Sequence, residues 1–250
     1  MSTNQEEKCD YWAYDSHNNE LDPLLKEAHK VALLDASPSD AELSEPLIIR
    51  NLLTSEQIDK ILLEASAEGV WPRGVKKDDS NNLPDDLKSV PHHFAWPDRH
   101  VALYMHNNDH WFARALPESW SVIRGGMESQ HGQEAVPEIP IEWVGSDQYM
   151  QAVRTIELHH YSSGGGLLIP GHCDSGSDLT ISVLLSDPDD VEGGDFVTYN
   201  GHSDEREPVA HKMGRGDAIL FRSEKLHNIS TVRSGVRKSL VVELWPTKRY

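Results

Sequence analysis

The sequence predicts an α+β fold in which helices pack on one face of a β core. Three observations carry this. Apolar residues recur at helical spacing in the first half, the period shifts to two after residue 150, and Gly- and Pro-rich clusters then separate short apolar runs. Helices followed by closely spaced strands is the α+β order, with a sandwich or barrel as the β unit.

Asp22-Pro23 reads as a helix start, and Leu24, Leu25, Ala28, Val31 and Ala32 follow at helical spacing. Pro46–Arg50 reads as a short strand. Thr54-Ser-Glu-Gln57 has the form of a capping box, and Ile58, Ile61, Leu62 and Ala65 form the stripe of the helix behind it, with Gly69 as its stop. Residues 75–95 are Asp-rich and aperiodic, a loop excursion. A helix is expected near 117–127, around Trp120, Val122 and Ile123, and residues 128–142 read as a connection. Strands are expected at Val153–Tyr161, Leu179–Leu185, Phe196–Tyr199, Ala218–Phe221 and Val236–Trp245. The domain division that follows is an N-terminal acidic, helical extension over 1–45 and a domain over 46–250, its β core at about 150–246.

The 250 residues carry a formal net charge of −18, and residues 1–150 hold −15 of it. Such a balance argues against nucleic acid or an anionic membrane as partner, since phosphates are held by clustered Lys and Arg. Two cysteines, Cys9 and Cys173, make no disulfide framework. No apolar run reaches the length of a membrane span and no signal peptide is evident, so a cytoplasmic or nuclear protein is expected. Nothing in the sequence specifies an oligomeric state.

His172-Cys-Asp174 places an imidazole and a carboxylate two residues apart, a spacing that on a strand points both to one face. Joined by a distant histidine, such a pair makes a two-His, one-carboxylate set that leaves coordination sites open and suits Fe(II) and oxygen chemistry. His202-Ser-Asp204 fits the same pattern, but its polar surroundings mark it as a solvated loop, whereas His172-Cys-Asp174 precedes the apolar run Leu179–Leu185. Ten residues after His227 comes Arg237, on a strand whose alternation sets Arg237, Ser239 and Val241 against Leu240, Val242 and Leu244. The leucine face suits helix packing, so Arg237 points into the core. A buried guanidinium needs a carboxylate partner, which a bound dicarboxylate would supply. His159-His160 reads as a hydrogen-bonding or packing pair, Cys173 as an outward packing residue, and Trp245 as a cap on the Arg237 side.

His172-x-Asp174, Glu192-Gly-Gly-Asp-Phe196, Gly216-Asp-Ala-Ile-Leu-Phe221, His227 and Arg237-x-Ser239, in that order, resemble the Fe(II)/2-oxoglutarate-dependent dioxygenases, most of all their prolyl 4-hydroxylase and lysyl hydroxylase branch. The resemblance covers roughly residues 150–246 and departs from the branch at Tyr161-Ser-Ser-Gly and at Gly171 and Cys173. It implies a double-stranded β-helix (jelly-roll) core. It implies His172, Asp174 and His227 as iron ligands, Arg237 on the distal carboxylate of 2-oxoglutarate, and Tyr161, Ser239 and Thr180 as cosubstrate-pocket residues. The implied reaction consumes O2 and 2-oxoglutarate, yields succinate and CO2, and hydroxylates an unactivated C–H bond; ascorbate as reductant is a family-level expectation. A protein or peptide side chain is the expected substrate. The alternatives are the same chemistry on a small molecule, and a jelly-roll module that binds metal or ligand without turnover.

Overall fold

A computed structural model of the chain describes residues 44–65, 94–96, 100–106, 111–128, 153–167, 172–200 and 207–245. The helix expected from Asp22, the Gly69 stop, the 128–142 connection beyond Glu128, His202-Ser-Asp204 and nearly all of the 75–95 excursion lie outside these residues. No helix among the described residues is long and apolar enough to cross a membrane.

Twelve strands, three α-helices and one short 3-10 turn (Pro188–Asp190) are described: β1 Leu47–Ile49, α1 Ser55–Ala65, β2 Phe94–Trp96, β3 His100–Tyr104, α2 Trp111–Ala115, α3 Pro117–Glu128, β4 Val153–Ser162, β5 Leu179–Leu184, β6 Glu192–Gly193, β7 Phe196–Asn200, β8 Glu207–His211, β9 Ala218–Arg222, β10 His227–Ile229, β11 Val232–Ser234 and β12 Val236–Leu244. A large sheet runs β1-β9-β5-β12-β4-β3-β2, and a smaller set pairs β10-β7-β8 and β11-β6. All pairings are antiparallel.

Alternation assigns the faces of the large sheet. Ile156 and Leu158 of β4, Ile181 and Val183 of β5, Leu220 of β9, and Leu240, Val242 and Leu244 of β12 pack into one cluster with Ile58 and Ile61 of α1, Phe112 of α2, and Trp120 and Ile123 of α3. This is the helix-covered face. Each buried Ile or Leu in it contributes about 1.5–3 kcal/mol. The capping box forms as the sequence predicts: the Thr54 amide donates to Gln57 Oε1 at 2.9 Å and the Gln57 amide to Thr54 Oγ1 at 3.2 Å. On the opposite face, Tyr161, Ile219 and Phe221 meet Phe196, Ile229 and Val232 of the smaller strands. A cavity opens between these two walls.

Three differences from the sequence reading have physical reasons. His172-Cys-Asp174 is not on a strand; it is an irregular segment tied by Asp174 N–H to Ser223 O at 2.9 Å and by His227 N–H to His172 O at 3.0 Å. The large sheet extends beyond residues 150–246, taking in β1, β2 and β3. β8 escapes a periodicity reading because, as an outer strand of the smaller sheet, it is exposed or half-buried along its whole length.

Candidate metal and cosubstrate site

His172, Asp174 and His227 converge: one ligand atom from each lies within 4.8 Å of the others. Asp174 Oδ1 stands 3.3 Å from His172 Nε2 and 3.6 Å from His227 Nε2. His227 Nδ1 lies 3.0 Å from the Lys225 carbonyl, so Nδ1 carries the proton and the Nε2 lone pair turns toward Asp174. Phe196 stacks on the His227 ring with centroids 5.5 Å apart, and Phe221 packs against it at 4.8 Å. Burial pushes the Asp174 carboxyl up, but His227, His172 and the Thr180 hydroxyl outweigh it and hold the group at about 2. Burial also lowers His227, partly offset by Asp174. One carboxylate and two imidazoles converging on one point are the donor set a divalent iron takes, so the residues fit the metal.

Thr180 Oγ1 donates to Asp174 Oδ2 at 2.8 Å and shares a 2.8 Å contact with Ser223 Oγ. Thr180 therefore borders the cavity and also fixes the free oxygen of the carboxylate. Arg237 is 3% exposed. Its Nε donates to Gly194 O at 2.8 Å and its Nη1 to Ser239 Oγ at 2.8 Å, and its Cζ lies 5.6 Å from the centre of the Tyr161 ring. Burial lowers its pKa, opposed by Tyr161 and Asp195, yet a guanidinium stays charged. Ser239, Tyr161, Thr180 and the three histidine and aspartate groups line a cavity of about 390 Å³. Arg237 lines a neighbouring one of about 330 Å³, and Phe196 borders both. The 2.8 Å contact to Ser239 brings the guanidinium to the partition between them.

Several residues around the cavity carried no sequence signal. The β4–β12 register slips between Glu243 and Leu244, a bulge that turns Arg154 to the cavity face and returns Val153 to the helix-covered one. Arg154 Nη1 then donates to Ser175 O at 2.9 Å, Ser177 Oγ at 2.7 Å and Glu243 Oε2 at 3.1 Å, bracing the turn after Asp174. Burial, with Asp174 nearby, pushes Glu243 up to about 7. Trp245 does not border the cavity; the Arg154 guanidinium lies over its ring at 5.1 Å. Cys173 is half-buried rather than outward, bordering the cavity with Sγ 3.3 Å from Ser175 Oγ. His159 does make hydrogen bonds, and its partners, His100 and Glu157, lie on the same cavity wall.

Comparison with known proteins follows this geometry. The solved prolyl hydroxylase of Trichoplax adhaerens, in complex with a hypoxia inducible factor oxygen degradation domain peptide fragment, superposes with a TM-score of 0.53 at 14% identity, covering 91% of this chain and 95% of that one. A prolyl 4-hydroxylase from Phytophthora capsici gives 0.50 at 13% identity, covering 90% of this chain and 65% of that one. The chain has the jelly-roll fold of these prolyl hydroxylases. In sequence it is similar to PKHD-type hydroxylases: 40% identical over 65 residues to that of Psychrobacter sp. (strain PRwf-1), covering 26% of this chain and 24% of the relative. Against that of Picosynechococcus sp. it is 25% identical over 146 residues, covering 54% and 64%. The chain thus spans less than two thirds of the length of these relatives. No protein-family model matches it.

Proposed function

We propose that this chain is an Fe(II)- and 2-oxoglutarate-dependent dioxygenase that hydroxylates an unactivated C–H bond of a protein or peptide side chain. One observation carries the reading: a buried guanidinium, Arg237, whose hydrogen bonds among the described residues go to neutral oxygens, with Asp195 near it but not hydrogen-bonded to it, is tied through Ser239 to the cavity that His172, Asp174 and His227 line. Leaving such a charge without a hydrogen-bonded anionic partner costs up to about 3–5 kcal/mol. A dicarboxylate that reaches Ser239 from the metal cavity supplies that partner.

In this reading His172, Asp174 and His227 hold the metal. His227 is oriented through Nδ1 by the Lys225 carbonyl, and Asp174 through Oδ2 by Thr180. Arg237 and Ser239 take the distal carboxylate of 2-oxoglutarate, with Tyr161 beside them. Phe196, Phe221, Leu167 and Ile229 line the cavity and limit water around the reacting centre. The bound metal supplies O2 activation: substrate C–H, 2-oxoglutarate and O2 become alcohol, succinate and CO2. The peptide held by the Trichoplax enzyme supports a protein or peptide as prime substrate. Residues 46–250 form the catalytic domain in this proposal and 1–45 an extension to it.

The test is succinate release by the full chain with Fe(II), 2-oxoglutarate and O2 across peptide and metabolite pools. Release stimulated by a peptide and abolished by His172→Ala is expected. Release that survives His172→Ala removes the metal assignment, and release stimulated only by a small molecule replaces the peptide reading.

A further inference from the structure

The cavity wall carries a chain of ionisable side chains that the proposed chemistry does not use. We propose that Glu157, His159 and His100 are positioning residues: a carboxylate–imidazole–imidazole chain that fixes the tautomer of His100, braces its ring against Tyr161, and so holds Tyr161 and Arg237 in place for the dicarboxylate cosubstrate. The inference rests on the 2-oxoglutarate reading above.

Sheet register builds the arrangement. His100 of β3 is the cross-strand partner of Tyr161 on β4, which is in turn the partner of Arg237 on β12. The three side chains form one row: the His100 and Tyr161 rings stack with centroids 4.1 Å apart and planes 18° apart, and Arg237 Cζ lies 5.6 Å from the Tyr161 ring centre. Opposite His159 in the next row is Ala102, which has nothing beyond Cβ, so His100 Nε2 reaches diagonally to His159 Nδ1 at 2.6 Å. One row further, Glu157 shares the face of His159, and its Oε2 lies 3.1 Å from His159 Nε2.

The direction of the hydrogen bonds follows from what each group can offer. A carboxylate only accepts, so His159 carries its proton on Nε2, facing Glu157. In the neutral ring that leaves a lone pair on Nδ1, and His100 must donate to it from Nε2. The tautomer of His100 is thereby set by a carboxylate two links away. Tyr161 Oη lies 3.5 Å from the same Nδ1, so the shorter His100 contact commands that lone pair. Burial, with His159, Arg237, His172 and His160 nearby, holds His100 well below the usual histidine range, which keeps a second positive charge away from the guanidinium. Inward-facing His100 is 2% exposed and Glu157 9%, so water does not compete strongly for the chain.

The test combines a spectroscopic signature with a binding split on the full chain. Nitrogen-15 spectra of the histidine side chains, with Zn(II) in place of iron, should show protons on Nε2 of both His100 and His159; Glu157→Met, which has no oxygen to accept from His159, should remove that fixed pattern. Anaerobic titration of the Fe(II)-loaded protein should show 2-oxoglutarate bound about 10-fold more weakly by Glu157→Met and by His100→Phe, with Fe(II) affinity unchanged. His100→Phe keeps an aromatic stack while deleting the hydrogen bond, and Glu157→Met is a second route of similar size if the first variant folds poorly. An unchanged tautomer in Glu157→Met, or unchanged 2-oxoglutarate affinity in both variants, overturns the proposal. Wild-type protein that binds no 2-oxoglutarate, or binding unaffected by Arg237→Met, refutes the cosubstrate reading and the relay with it. Binding lost in Arg237→Met but intact in the other two variants refutes the relay alone.

Discussion

Gly193 and Gly194 sit side by side yet should fail in different ways when given a side chain. Gly194 has φ +69°. A Cβ there would meet Arg237 Cδ at 2.9 Å and Val232 Cγ2 at 3.1 Å, side-chain atoms that can give way. Holding alanine in the left-handed region costs about 1–2 kcal/mol. The consequence for binding falls on Arg237, which must move off the 2.8 Å bond from its Nε to Gly194 O. Losing about half of a charged hydrogen bond, roughly 1.4 kcal/mol, corresponds to about a 10-fold weaker hold on the cosubstrate. At Gly193 the Cβ would lie 2.2 Å from the Thr231 carbonyl, a backbone atom, so the β6–β11 pairing must open. Gly193→Ala should therefore lose about 3 kcal/mol or more of stability. Urea unfolding and 2-oxoglutarate titration of the Fe(II)-loaded protein separate the two outcomes. Gly194→Ala is expected to keep most of its stability and bind 2-oxoglutarate about 10-fold more weakly. If it binds as wild type does, Arg237 is not held by this glycine for cosubstrate binding.

Two further perturbations test the surroundings of the site. Thr180→Val removes the hydroxyl that anchors Asp174 and should weaken divalent-metal affinity about 10-fold, with Thr180→Ser restoring it; metal titration showing equal affinities would rule out that anchoring role. Burial, with Lys225 nearby, holds His211 at about 4 against an ordinary 6.5, and Thr198 Oγ1 lies 2.7 Å from its Nε2. The folded pKa is depressed, so this contribution is fully present above pH 6.5 and is lost as pH falls toward 4. After allowance for partial exposure it amounts to about 1–2 kcal/mol. Urea midpoints of wild type should fall across that window more than those of His211→Gln, and parallel curves would contradict it.

The long strands of the large sheet were legible because each buries two different faces. In β12 the alternation of Arg237, Ser239 and Val241 with Leu240, Val242 and Leu244 separates cavity from helix side, and the structure keeps that separation. α1 was equally legible, since capping and a stripe of apolar residues act within one turn or two. Short elements such as β10 and β11, three residues each, are too brief to show a period. His172, Asp174 and His227, which the structure brings together, were legible as a candidate donor set by order and spacing, although the segment carrying His172 and Asp174 is not the strand that the spacing suggested.

By itself, then, the sequence determined residue types, local periodicity and an ordered set of ligand-like side chains, all properties that operate over a few neighbours. Tertiary structure alone decided which distant side chains meet. Register across β3, β4 and β12 sets His100 beside Tyr161 and Arg237, although 59 residues separate His100 from His159. A single-residue bulge, invisible in composition, turns Arg154 into the cavity. Hydrogen-bonded register and bulges are fixed by the pairing of whole strands, and that pairing is a property of the folded sheet rather than of any one segment.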